Sequence, residues 1–403
     1  MSGQAVVTGL GVASSIGLGA DDFWSAARSG SDGIGRVTRF DAGGYPATLA
    51  GEVKGFAAEE YLPARLLPQT DRMTQLALAA SDWAFVDAAV APSDLAEFDA
   101  GVVTASSCGG FEFGQRELQN LWSKGSEYVS AYQSFAWFYA VNTGQISIRH
   151  GLRGPGSVVV SDDAGGLDAI AHARRGIRGG RSLMLAGGMD APVCSWGWAA
   201  QLASGRMSAQ TDPRRSYLPF DSAACGYVPG EGGALLVVES ADAARQRGAR
   251  IYGEIAGYGT TFDPRPGTGR GPALGKAIER ALDNAGTIPE QVSVVFADAA
   301  ATPELDRAES TALREIFGPH GVPVTAPKTM TGRLYSGAAS LDTAAALLAL
   351  RDGVIPPTIG VSPSPDHEID LVASPRHTRV TSALVLARGY GGFNSALLVR
   401  AVH

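Results

Sequence analysis

Apolar positions along the chain follow two rhythms, and the change from one to the other is sharpest at residues 158–178. The run Val158-Val159-Val160 predicts a buried strand, Gly165 and Gly166 permit a tight turn, and Leu167, Ile170, Ala171 and Ala173 then recur at helical spacing to about Arg178. Strand, sharp turn and helix in that order make an elbow. Its turn residue projects into a cleft beside the positive end of a helix. The same rhythms predict strands at 5–11, 101–105, 182–188, 233–238, 292–297 and 382–387. A helix is predicted from Pro68 through Met73, Leu76, Ala77, Ala80, Trp83 and Ala84, with others over 273–285, 306–317 and 337–351. Gly9-Leu10-Gly11 reads as a tight turn closing the first strand, because the glycine pattern of a dinucleotide loop is incomplete.

The second half repeats the plan of the first. Gly337-Ala338-Ala339-Ser340-Leu341-Asp342, with its helix to Arg351, echoes Gly165-Gly166-Leu167-Asp168, and apolar strand material follows each. A duplicated strand-helix unit predicts an α/β fold in five layers, α/β/α/β/α, with the two like helices packed at a pseudo-two-fold centre. The halves divide as 1–250 and 251–403, and the Pro/Gly-rich loop at 263–272 marks a seam.

Composition narrows the function. A chain of 403 residues that is 45% hydrophobic can bury a large core. A net charge of −7 without a dense Lys/Arg cluster excludes nucleic acid as a partner. Met1-Ser2-Gly3-Gln4 lacks the basic start of a leader, and no stretch approaches the ~18 apolar residues of a membrane span. A cytoplasmic protein that binds no membrane is expected. Cys108, Cys194 and Cys225 are too widely spaced for a disulfide framework or zinc site, and the six histidines (150, 172, 320, 367, 377, 403) are scattered, so no metal is expected. Aromatics concentrate at 111–118 and 135–139, which fits core packing, with an interface or ligand tunnel as the rival reading.

The elbow carries no Ser or Cys where a nucleophile would sit, only Asp162-Asp163. With two glycine-bounded halves and this elbow, the whole chain resembles the thiolase-fold β-ketoacyl synthases. Those enzymes place a Cys five residues before the Asp of a Gly-Leu-Asp, which here is Asp163. Their first His opens a His-Gly-Thr-Gly-Thr motif, replaced here by Asp298-Ala299-Ala300-Ala301-Thr302; their second follows a Lys-x-x-x-Gly, where Lys328-Thr329-Met330-Thr331-Gly332 is followed by Arg333. All three catalytic positions are thus replaced. An Arg-centred ion-pair network among Asp163, Asp298 and Arg333 is expected instead.

The replacements resemble one branch in particular, the chain length factors or ketosynthase β subunits of type II polyketide synthases. Ser134-Phe135-Ala136-Trp137-Phe138-Tyr139, Pro327-Lys328-Thr329-Met330-Thr331-Gly332-Arg333 and Tyr227-Val228-Pro229-Gly230-Glu231 carry that resemblance. One departure is the elbow itself, where the branch usually has Ala-Glu-Gln-Ala-Gly-Gly. The resemblance implies a non-catalytic subunit, heterodimeric with a ketosynthase α subunit, that shapes the tunnel receiving a growing poly-β-ketone. The substrate would arrive on the phosphopantetheine of an acyl carrier protein, docked mainly on the partner, with no other cofactor. By similarity, Phe111, Gly114, Leu118, Phe135 and Trp196 would line the tunnel. The small residues Gly114 and Leu118 would leave room for a product longer than the shorter octaketides. Glu309 and Lys328 match supporting positions of active relatives and are expected to pair with each other; Asp221 would order the glycine-rich loop. The competing reading is a malonyl-carrier decarboxylase or divergent acyltransferase acting in its own right.

Overall fold

The computed structural model describes residues 3–265, 267–269 and 271–402. Met1 and Ser2, where a leader's basic start would stand, Pro266 and Arg270 of the expected seam, and His403 lie outside the described residues. The first half runs β1 (Ala5–Ser14), α1 (Arg72–Ala88), β2 (Ala100–Ala105), α2 (Phe111–Lys124), α3 (Val141–His150), β3 (Gly156–Val159), α4 (Gly165–Arg178), β4 (Leu183–Asp190), α5 (Ser195–Leu202) and β5 (Gly232–Ser240). The second runs β6 (Gly253–Phe262), α6 (Leu274–Ala285), β7 (Val294–Phe296), α7 (Pro303–Phe317), β8 (Pro323–Thr325), α8 (Ser336–Asp352), β9 (Asp370–Leu371), β10 (Ser382–Arg388) and β11 (Phe393–Arg400).

Strand order exposes the duplication directly. The first half is ordered β1-β5-β4-β2-β3 and the second β6-β11-β10-β7-β8, with the short β9 added parallel to β8 at the far edge; antiparallel pairing of β1 with β6 at Val6↔Glu254 and Val7↔Gly253 joins them into one continuous sheet. In each half the strand two places in from the antiparallel pair, β2 in the first and β7 in the second, lies parallel to both its neighbours, while the two strands nearest the join are antiparallel. Helices α4 and α8 are buried together in the central core between the two half-sheets. Helices α1 and α3 cover the outer face of the first, and α6 and α7 the outer face of the second. Five layers result. The pair α4/α8 comes within backbone contact because Gly166 has no side chain: a Cβ there would lie 2.5 Å from Ser336 O.

Three expectations change. First, Gly9 and Gly11 do not turn the chain; β1 runs through both to Ser14. Their bare faces seat α1, since a Cβ would stand 2.2 Å from Ala84 O at Gly9 and 1.8 Å from Ala80 O at Gly11. The second half repeats the device at Gly257 and Gly259 on β6, each with Ala281 O or Ala277 O at 2.1 Å, a strand that the glycines hid from the hydrophobic pattern. Gly11→Ala should therefore cost roughly 3 kcal/mol by overpacking against rigid backbone. Urea unfolding would check this, and a loss below about 1 kcal/mol would contradict the close-packing argument.

Second, the helix expected from Pro68 begins at Arg72, after a 3₁₀ turn at Ala64–Gln69 that contains the proline. Asp71 caps it, accepting from Met73 N at 2.8 Å, and with its other oxygen accepts from Phe113 N at 2.8 Å, so one carboxylate starts two helices. Third, the Val158-Val159-Val160 strand is not buried. It is the sheet's edge, half-buried along β3, with Val160 just past its end and 53% exposed. A β-branched run marks a strand but cannot reveal whether a neighbour covers it.

Candidate functional site

At the elbow, Asp162 adopts a positive φ of 53° and its carboxylate accepts from Tyr390 N at 2.5 Å, pinning the turn to the loop after β10. That turn presents Asp163 to Arg333. The guanidinium Nε donates to Asp163 Oδ2 at 2.9 Å, Nη2 to Asp298 Oδ1 at 2.9 Å and to Arg388 O at 3.0 Å, and Nη1 to the Asp298 carbonyl at 3.1 Å. The ion-pair network expected from the sequence is therefore present in the geometry, and all three residues are buried. Arg333 is held in place by its own backbone, which donates to Val228 O at 2.8 Å and accepts from Gly230 N at 2.9 Å, and its guanidinium lies 5.6 Å from the Tyr227 ring centroid.

Burial raises the Asp163 carboxyl to about 7, against the opposing pull of Arg333; Asp162 and Asp298 push it the same way as burial. Burial also opposes ionisation of Arg333, but Asp163 and Asp298 outweigh it and hold the guanidinium well above its ordinary value. Asp163 and Arg333 line a cleft of about 420 Å³ together with Gln201, Arg206, Tyr335 and Tyr390.

The supporting residues rearrange the expectation. Glu309 and Lys328 do not pair. Glu309 accepts from Asp298 N at 2.7 Å and Ala299 N at 2.8 Å, fixing the loop that carries Asp298, while Lys328 donates to Asp342 Oδ2 at 2.6 Å and to Ala297 O. Each charge found a nearer partner: Glu309 on α7 faces the backbone of its own loop, and Asp342 on α8 comes within reach of Lys328 only in the fold. Asp221 accepts from Ala223 N and Ser362 N, both at 2.9 Å, and so ties the glycine-rich loop to the second half.

Sequence reasoning missed Asp190. Wholly buried at the end of β4, it accepts from Ser106 Oγ, Ser107 N and Ser336 Oγ and joins the loop after β2 to the start of α8. Nothing in its local sequence distinguishes it from a solvated turn acid.

Of the five residues expected to line a tunnel, three meet. Phe111 stacks on Trp196 with ring centroids 5.1 Å apart, and a Cβ on Gly114 would stand 3.0 Å from Trp196 Cζ3. Leu118 follows one turn along α2, half-buried. Phe135 packs elsewhere, against the core under α1 and edge-on to Tyr132. The space that Gly114 was expected to leave open is occupied by the Trp196 ring. Around these residues the surface is unusually apolar: Trp122 is 77% exposed, Trp137 43% and Trp196 41%, with Leu121, Tyr128, Tyr132 and Phe138 also exposed.

Among the described residues no three His, Cys, Asp or Glu side chains converge as a metal site requires, and no helix is long and apolar enough to cross a membrane.

Comparison with known proteins places this geometry. The family models for the β-ketoacyl synthase N-terminal and C-terminal domains match residues 4–244 and 252–362. The chain is 59% identical over 399 residues to the tetracenomycin polyketide synthase ketoacyl synthase beta subunit of Streptomyces glaucescens, covering 98% of each. It is 58% identical over 400 residues to the actinorhodin polyketide putative beta-ketoacyl synthase 2 of Streptomyces coelicolor, again covering 98% of each. Among solved structures, the ishigamide ketosynthase/chain length factor superposes with a TM-score of 0.91 at 30% identity, over all of both chains. A type II acyl-carrier protein in complex with its ketosynthase, bound to the hexaketide, gives 0.89 at 27%, also over all of both chains. The chain belongs to the β-ketoacyl synthase family, in the branch of the ketosynthase β subunits, or chain length factors, of type II polyketide synthases.

Proposed function

We propose that this chain is the non-condensing partner of a ketosynthase α subunit and that it sets polyketide length by shaping the tunnel between them. The observation that carries the reading is the elbow: the residue presented there is Asp163, clamped by Arg333 at 2.9 Å. Claisen condensation needs a thiolate to hold the acyl chain and imidazoles to assist decarboxylation and steady the enolate. A carboxylate gives a mixed anhydride that water destroys, and an arginine cannot exchange its proton near neutrality. The site therefore stabilises fold rather than transition state.

The substrate then reaches the partner's active site, in the cytoplasm, on the phosphopantetheine of an acyl carrier protein, and this chain holds no cofactor of its own. Phe111, Gly114, Leu118, Phe135 and Trp196 line the tunnel in this reading, and the exposed aromatics at 122–138 supply the apolar surface that a partner would cover. The division at 250/251 is proposed on the repeated strand order, which starts again at β6.

The test is co-expression with a ketosynthase, followed by condensation of malonyl-carrier with the wild type and with Asp163→Ala. The same products at a comparable rate from both complexes support a role through shape alone. Loss of product with the dimer intact assigns Asp163 a chemical part, as the decarboxylase or acyltransferase reading requires.

A further inference from the structure

We propose that Asp163 and Asp298 share one proton across the guanidinium of Arg333, forming a buried proton site that locks the elbow of the first half to the second. Geometry carries this. In this chain the Nε and Nη2 of Arg72 grip a single carboxylate, Glu231, at 2.9 and 2.8 Å, and no second anion is needed there. Arg333 offers the same edge to two carboxylates, Nε to Asp163 and Nη2 to Asp298, each at 2.9 Å. Two carboxyl groups are thereby set side by side on one positive charge.

Each has an oxygen left over. Asp163 Oδ1 and Asp298 Oδ2 are both buried and without a hydrogen-bond partner among the described residues. Both side chains line one narrow void with Lys328, Arg333 and Asp342, and the void has no room for water. Two bare carboxylate oxygens in such a place are costly, and a proton held between the carboxyl groups removes both the repulsion and the missing bond.

Among the described residues no neighbouring cation supplies the missing charge. Lys328 is committed to Asp342 and to Ala297 O. Arg388 points its side chain away, to Asn394 Oδ1, Leu305 O and, at 3.5 Å, Asp263. From α7 come Glu309 and Asp306, both satisfied by backbone N–H groups and both acidic. Asp162 at the elbow adds a further carboxylate, while Tyr217, Tyr227, Tyr335 and Cys108, which face the cluster from the remaining sides, are held neutral by burial. The surroundings are short of positive charge, and the proton makes up part of the deficit.

The consequence has a definite sign. A carboxyl raised in the folded state binds its proton there and releases it on unfolding, so this site favours folding in acid and ceases to do so as pH rises through about 7. Asp163→Asn imitates the protonated pair, with its carbonyl facing Arg333 and its amide N–H facing Asp298. We would measure the unfolding equilibrium of the co-expressed complex at about pH 5 and about pH 8.5 for the wild type, Asp163→Asn and Asp298→Asn. Between those values, the folded-to-unfolded ratio of Asp163→Asn relative to wild type should rise ten- to a hundredfold, on the order of one decade per pH unit up to the titration. Asp298→Asn keeps the same logic with the roles exchanged and should show the same sign. The infrared carbonyl band of a protonated carboxyl, present in the wild type near pH 5, should weaken in both variants. If both variants lose stability equally at the two pH values, or that band does not change, both carboxylates are ionised and there is no shared proton.

Discussion

Arg333→Met is expected to destabilise the folded chain by on the order of 3–5 kcal/mol near neutral pH, the usual result of removing one partner from a buried ion pair. Methionine replaces most of the volume and none of the charge. Asp163 and Asp298 would then face each other with no cation between them, and the donors to Asp298 O and Arg388 O would also be gone. The loss should shrink in acid: Asp163 is already raised by burial, and with the cation removed it binds its proton more tightly still, so the variant's deficit grows as pH rises. Denaturant unfolding at about pH 5 and about pH 8 would show this. Arg333→Lys should recover only part of the stability, because one ammonium cannot present the Nε/Nη2 edge to two carboxylates at once. A deficit under about 1 kcal/mol for Arg333→Met at the higher pH would mean that the network is dispensable.

Gly114→Phe is expected to shorten the polyketide made by the reconstituted complex while leaving the chain folded. The structure refines how. Gly114 does not open onto empty space, because the Trp196 ring already lies against it, 3.0 Å from where a Cβ would be, with Trp137 Cβ at 3.7 Å. A phenyl group there must displace Trp196. That indole is 41% exposed and stacked on Phe111, so it can swing outward, toward the face proposed to meet the partner. Bulk added at residue 114 is thus transmitted to the proposed tunnel by Trp196, the second residue of α5. Leu118→Phe, one turn further along α2 and half-buried, should act in the same direction and more weakly. Gly114→Ala, which asks the indole to move by only a few tenths of an ångström, should leave chain length unchanged. Mass analysis of the products decides; an unaltered product from an intact Gly114→Phe complex would remove residue 114 from the gate.

Much of this protein could be read from its sequence because the relevant physics is local. The elbow needs a β-branched strand, glycines at the turn and a helical stripe, and all lie within residues 158–178. The duplication was visible because Gly165-Gly166-Leu167-Asp168 and Gly337-Ala338-Ala339-Ser340-Leu341-Asp342 open like helices, although β6 and β11 escaped notice. Glycines placed for helix packing dilute the apolar pattern of β6, as they made β1 look shorter than it is. Asp163, Asp298 and Arg333 were expected to meet, since three positions that converge in a family converge in any chain that keeps its fold.

What the sequence could not decide was which of several possible partners each group would choose. Glu309 and Lys328 are opposite charges at matching positions, yet one serves backbone N–H groups and the other takes Asp342, a choice made by the approach of α7 and α8. Phe135 and Phe111 carry the same side chain in two neighbouring aromatic-rich stretches, and the fold sends them to different clusters. The edge position of β3, the ring of Trp196 over Gly114 and the setting of the two carboxylates beside Arg333 all depend on contacts across large sequence separations. Hydrophobic rhythm and turn chemistry act within a few residues and so determine elements and their order. Packing and electrostatics in a buried cluster depend on ångström distances between distant segments, and only the tertiary structure sets those.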